Sequence, residues 1–139
     1  MEAWGFPSMT AQIDSRVREI LSGPDVANVS VSRPDGSIQS VIAWVAEEDG
    51  LIALNTADGR AWPGHIQSSG RATITVMANG DPREWVAIEA RLEDVSVDEG
   101  WTHIRALSTK YGRVFKPVSE TETRLKLTLR PERIYHHFA

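Results

Sequence analysis

The stretch VSVSRPDGSIQSVIAWV, residues 29–45, decides how the rest of the chain is read. Across residues 26–33, Ala27, Val29 and Val31 fall on one side, and Asn28, Ser30 and Ser32 on the other. A period of two is the pattern of a strand with one wet face and one dry face. Pro34-Asp35-Gly36 then supplies a tight turn, and residues 37–46 return as a second strand. The connection is too short for a crossover helix, so the two strands run antiparallel.

The same grammar extends outward. Asp49-Gly50 turns the chain into a third strand, Leu51 to Thr56. Arg71 to Met77 form a fourth, with Ala72, Ile74 and Val76 inward. Asn79-Gly80-Asp81-Pro82 makes a strong turn into a long fifth strand, Glu84 to Val95. Leu125, Leu127 and Leu129 alternate with Lys126, Thr128 and Arg130 in a closing strand. Two helices interrupt the series. Met9, Ile13, Val17, Ile20 and Leu21 recur at helical spacing over residues 10–21, with Ser8 or Thr10 as cap and Gly23-Pro24 as stop. Val97 to Tyr111 form the second, with Trp101, Ile104, Leu107 and Tyr111 on one side. The expectation is a mainly β protein with flanking helices: one domain over residues 1–139, a six-stranded antiparallel barrel over about 26–130, and a helix leading into it. Closure is favoured because it removes exposed strand edges.

Bulk composition narrows the function. The chain has 139 residues, 41% hydrophobic and 24% charged, with net charge −4 and no cysteine. Disulfides, thiolate metal sites and a cysteine nucleophile are excluded, and nucleic acid is not an expected partner. No apolar run approaches the roughly 20 residues of a membrane span, and MEAWGFPSMT lacks the basic region and apolar core of a signal peptide. A cytoplasmic protein without a membrane partner is expected. The motifs G-x-S-x-G, H-E-x-x-H and G-x-G-x-x-G and the P-loop are all missing. Of the four histidines, His136 and His137 are adjacent and would face opposite sides of a strand, so no metal site is expected. A reaction without protein nucleophile or metal must take its chemistry from a cofactor, or not occur.

The chemically informative segment is NTADGRAWPGHIQSSGRATITV, residues 55–76. It runs strand, glycine-bearing turn, short helical turn near Pro63 to Ser68, strand. A helix start exposes free N–H groups that favour an anion. Arg60 stands beside it and could grip a phosphate through two parallel hydrogen bonds; Thr56 adds a hydroxyl. The plain alternative is a surface loop with a solvated arginine.

The order of VSVSRPDGSIQSVIAWV at 29–45, LNTADGR at 54–60, GRATITV at 70–76 and LTLRPERI at 127–134 resembles the pyridoxamine 5'-phosphate oxidase-like, FMN-binding split β-barrel superfamily, and in particular its F420H2-dependent reductases. The resemblance implies a homodimer with two equivalent clefts between subunits, in agreement with an apolar surplus that includes five tryptophans. It implies coenzyme F420, or alternatively FMN, as cofactor, and a hydride passed from reduced deazaflavin to a conjugated small-molecule substrate. A non-catalytic carrier of flavin, F420 or tetrapyrrole on the same barrel is the alternative from another class. By resemblance, the backbone of Ser40, Val41, Ile42 and Ala43 would lie along the ring, Met77 would touch it, and Asn55, Thr56, Gly59 and Arg60 would hold the phosphate end. Two positions depart from the family's pattern. Trp62 stands where a lysine is expected and His65 where an asparagine is expected. Trp62 could stack on a ring or plug the phosphate pocket, and His65 could compensate in part. No catalytic side chain or proton donor emerges. Trp44, Trp85 and Trp101 read as core or interface residues, and Tyr111 as packed at a helix end.

Overall fold

A computed structural model describes residues 11–138. Seven strands form one antiparallel sheet: β1 (Ala27–Ser32), β2 (Ile38–Ala43), β3 (Val45–Glu48), β4 (Leu51–Ala57), β5 (Arg71–Met77), β6 (Trp85–Val97) and β7 (Arg124–His137). Three helices accompany them: α1 (Ser15–Ser22), α2 (Ala61–Ser69) and α3 (Thr102–Tyr111). The spatial order is β2-β1-β5-β6-β7-β4-β3. The mainly β reading with flanking helices holds.

The expected count of six strands becomes seven because residues 37–46 are two strands. Residues up to Ala43 pair with β1, and Val45 onward pair with β4, at the opposite end of the sheet. Only Trp44 lies between the two edges. Two Cα–Cα steps cover at most about 7.6 Å, so the sheet must curl until its edges nearly meet. Among the described residues no hydrogen-bonded ladder closes it; the covalent chain crosses the gap.

Alternation places the core. Ala27, Val29 and Val31 of β1, Ala72, Ile74 and Val76 of β5, Val86, Ile88 and Ala90 of β6, and Leu127 and Leu129 of β7 are buried in one cluster. Val17, Ile20 and Leu21 of α1 and Trp62 and Ile66 of α2 fill the same cluster. A fully buried Leu or Ile contributes about 1.5–3 kcal/mol, so the two helices stabilise the interior as much as they cover it. In β4 the run from Ile52 to Thr56 is buried on both faces. Its outer face meets α3, where Ile104, Leu107 and Tyr111 pack with Trp44, Ala46, Trp101 and Phe115.

Strands β6 and β7 pair along nearly their whole length. The ladder slips between Glu89 and Ala90 and again between Leu92 and Asp94. At the first slip Pro131 faces Ala90, and a proline cannot donate to a ladder. Such bulges bend a strand pair, which lets one hairpin run across both halves of the sheet. The closing strand continues to His137, seven residues beyond the expected barrel end at 130, since Pro131 is absorbed by the bulge rather than ending the strand.

Helix α1 begins later than the 10–21 spacing predicts. Asp14 is its cap, accepting a hydrogen bond from the Val17 amide at 2.9 Å. Met9 and the caps expected at Ser8 and Thr10 lie outside the described residues. No helix among the described residues is long and apolar enough to cross a membrane.

The corner at Trp44 is held from α3. The Tyr111 ring stacks on Trp44, with centroids 5.2 Å apart and planes 8° apart. Its hydroxyl accepts from the Val45 amide at 3.0 Å and donates to the Asp25 carbonyl at 3.0 Å. Lys110 Nζ donates to the carbonyls of Leu21 and Val45. Burial raises the Tyr111 pKa above its ordinary value, which keeps the hydroxyl a donor as well as an acceptor.

Candidate functional site

An open cleft of about 290 Å³ lies where the Trp44 corner, the β4–α2 turn and the segment between α3 and β7 meet. Ile42, Ala43 and Trp44 supply one wall; Asn55, Thr56, Arg60 and Trp62 supply another. These elements converge because β2 and β4 both end near the Trp44 corner. Gly59 permits the β4–α2 turn: its φ is +95°, a conformation that side chains resist.

Six residues singled out in the sequence therefore meet in this cleft: Ile42, Ala43, Asn55, Thr56, Arg60 and Trp62. Five do not line it within one chain. Ser40 Oγ lies 3.1 Å from Ser30 Oγ on the outer face. Val41 packs against the core. Gly59 is an exposed turn residue, and His65 is half-buried on α2. Met77 ends β5 opposite Trp85 on the outer face, 45% exposed.

Trp62 is 8% exposed and belongs to the main core, although its edge reaches the cleft. This geometry agrees with a plug. Arg60 is exposed, precedes α2, and makes no hydrogen bond or ion pair with any described residue. The α2 helix is longer than the short helical turn expected at Pro63–Ser68.

A buried polar network forms the floor. The Asn55 amide nitrogen donates to Asp98 Oδ2 at 3.0 Å and to His103 Nδ1 at 2.9 Å. Its carbonyl accepts from Arg124 Nε at 3.0 Å. An amide nitrogen only donates, so His103 Nδ1 is the acceptor and the ring proton sits on Nε2. Burial lowers the His103 pKa, and Lys126 lowers it further against the pull of Glu48 and Asp98. For Asp98 burial opposes ionisation, but the amides of His103 and Ile104 and the Asn55 side chain outweigh it and hold the pKa below the usual carboxylate range. The Asn55 polar atoms are thus engaged inside the protein. What it offers a ligand is its surface.

Sequence reasoning missed the segment 112–123, a strap without regular structure that contributes Phe115, Lys116, Val118 and Glu122 to the cleft. Arg124 anchors the strap: Nη1 pairs with Glu122 Oε2 at 2.8 Å, and the guanidinium sits 4.8 Å from the centre of the Phe115 ring. Both partners of that ion pair are about nine-tenths buried. Trp101 donates from Nε1 to the Glu122 carbonyl at 3.2 Å and meets Phe115 edge-on at 5.6 Å. A loop has no periodicity to read; the one local signal was the arginine immediately ahead of the Leu125 alternation.

The cleft therefore joins an apolar wall to a cationic mouth. Val26 and Ile42 expose 49% and 66% of their surface beside Trp44. Arg60, Lys116 and Arg124 carry positive charge, and Glu122 is the one carboxylate in the lining among the described residues. Such a site suits a flat ring with an anionic tail.

Comparison with solved structures gives the same fold. An F420 reductase superposes with a TM-score of 0.78 at 18% identity, covering 85% of this chain and 94% of that one. A candidate pyridoxamine 5'-phosphate oxidase from Listeria innocua matches at 0.64 and 10% identity, covering 87% and 94%. HutZ, the haem storage protein of Vibrio cholerae, matches at 0.65 and 9% identity, covering 91% and 96%. No protein-family model and no curated protein matches the sequence. The chain has the pyridoxamine 5'-phosphate oxidase-like fold, the class in which proteins named for F420, pyridoxamine phosphate and haem are found.

Proposed function

We propose that this chain is one subunit of a homodimeric F420H2-dependent oxidoreductase. The observation that carries the reading is the pairing in one cleft of an apolar wall at Val26, Ile42 and Trp44 with a cationic mouth at Arg60. The residues fit the group: the wall offers a flat surface, and an arginine without a partner among the described residues offers charge. When bound, reduced deazaflavin supplies a hydride to a conjugated organic acceptor. The protein's part is positioning and charge stabilisation. In the dimer the backbone of Ser40 to Ala43 would lie along the ring, Arg60 and Thr56 would hold the phosphate end, and Asn55 would form the floor. FMN on the same surface is the alternative cofactor.

Dimerisation is supported by the outer face of the sheet. The register places Ile38, Ile42, Met77, Trp85 and Tyr135 on one side, and four of them are at least 45% exposed. A second subunit on that face would bring Ser40 and Met77 to a shared cleft. A carrier of flavin or tetrapyrrole is the second reading, favoured by the Trp62 plug where the family's pattern has a lysine and by the likeness to a haem storage protein.

The test of the reading is Arg60→Ala. F420 affinity should fall about ten- to hundredfold, the equivalent of one charged hydrogen bond of about 1.5–3 kcal/mol, and its salt dependence should flatten. Unchanged affinity would make Arg60 an ordinary surface residue.

A further inference from the structure

We propose that Lys116, carried by the strap, is the second half of an anion clamp with Arg60, and that it supplies the charge that Trp62 does not. This deepens the reading of the cleft as a phosphate-bearing cofactor site and rests on it.

Three cations among the described residues line the cleft. Arg124 is spent: it pairs with Glu122, donates to Asn55 and covers the Phe115 ring. That pair also uses the only carboxylate that the described residues bring to the lining. Arg60 and Lys116 remain, both exposed, both without hydrogen bond or ion pair among the described residues. Two such cations on one concave surface give it a positive potential that favours an anion.

The strap fixes where Lys116 stands. The neighbouring Phe115 has its amide bonded to Ser108 Oγ at 3.2 Å and its ring held between Trp101 and Arg124. The Ser108 hydroxyl donates in turn to the Arg113 carbonyl. The backbone at 115 is thus tied to α3 and to the cleft floor, and Pro117 restricts the chain on the other side. An anchored stem with a free ammonium head is the arrangement a phosphate clamp needs. Trp62, sunk into the core, brings no charge to the cleft; the strap's lysine does.

The ligand class that follows is a flat ring whose tail carries phosphate. The test compares each ring with and without its phosphate. Wild-type protein, Lys116→Ala, Lys116→Arg and Arg60→Ala are titrated with FMN, riboflavin, F420 and the deazaflavin chromophore lacking its phosphate-bearing tail, following tryptophan quenching. Lys116→Ala should weaken the phosphate-bearing ligand about tenfold and leave its phosphate-free counterpart unchanged; Lys116→Arg should restore most of the loss. If Arg60→Ala weakens binding while Lys116→Ala does not, the clamp is wrong and the cofactor reading stands. Equal loss for both forms of a ring would place Lys116 against the ring and also overturn the clamp. If wild-type protein binds neither FMN nor F420, both readings fall together.

Discussion

Tyr111→Phe removes one oxygen atom from the corner at which the chain crosses between the two edges of the sheet. The ring would keep its stack on Trp44, so only the hydroxyl's bonds are lost. Those are the bond accepted from the Val45 amide at 3.0 Å and the donation shared between the carbonyls of Asp25 at 3.0 Å and Val45 at 3.3 Å. Val45 is fully buried, so its amide loses its acceptor without water to replace it. An unsatisfied buried group costs about 1–3 kcal/mol, while Asp25 is half-exposed and can turn to solvent. The expected loss is about 2 kcal/mol. With a urea slope of about 2 kcal/mol/M the midpoint should fall by about 1 M. Equilibrium urea unfolding by tryptophan fluorescence and far-ultraviolet circular dichroism measures it. A change under about 0.5 kcal/mol would mean that covalent continuity through Trp44 holds the corner without α3.

Further outcomes follow from the same geometry. Trp62→Ala should cost about 3–5 kcal/mol, the range for removing a large core aromatic; a loss under about 1 kcal/mol in thermal unfolding would make Trp62 a ligand platform and not a plug. Because the folded-state pKa of His103 lies below 6.5, the unfolded chain takes up the proton first as pH falls. Stability should therefore decline from about pH 6.5 downward until the folded ring protonates, and His103→Asn, which keeps an acceptor for Asn55, should flatten that slope; an unchanged slope would assign it elsewhere. Light scattering should give twice the 15.4 kDa subunit mass, and Ile42→Asp should give monomer; a monomeric wild type at micromolar concentration removes the shared cleft.

The hairpins were legible because alternation and turn residues coincide: Pro34-Asp35-Gly36 and Asn79-Gly80 fall between strands whose inward residues are, but for Gln39, aliphatic. The crossing at Trp44 was not, because Val41 to Ala46 contains no turn residue; the strand changes partner by bending, and only the pairing of Val45 with Leu54 reveals it. The continuation of the last strand past 130 was not legible either, because a bulge takes in Pro131. In the cleft, Asn55, Thr56, Arg60 and Trp62 could be grouped because one short segment carries them. Lys116 and Glu122 reach the same place from the far side of α3, by tertiary docking that leaves no periodic trace. The bonds from Asn55 to Asp98 and His103 span more than forty residues and belong to the same class.

The central claim is that the cleft between the Trp44 corner and the strap takes a flavin-type ring with an anionic tail. Titration of purified wild-type protein with F420, FMN, FAD and haem, read by tryptophan quenching in low salt, tests it most directly. The account predicts saturable binding of F420, with FMN weaker, and an affinity that falls as salt is raised. Haem binding more tightly than F420 and FMN, or no saturable quenching by either of them, would contradict it.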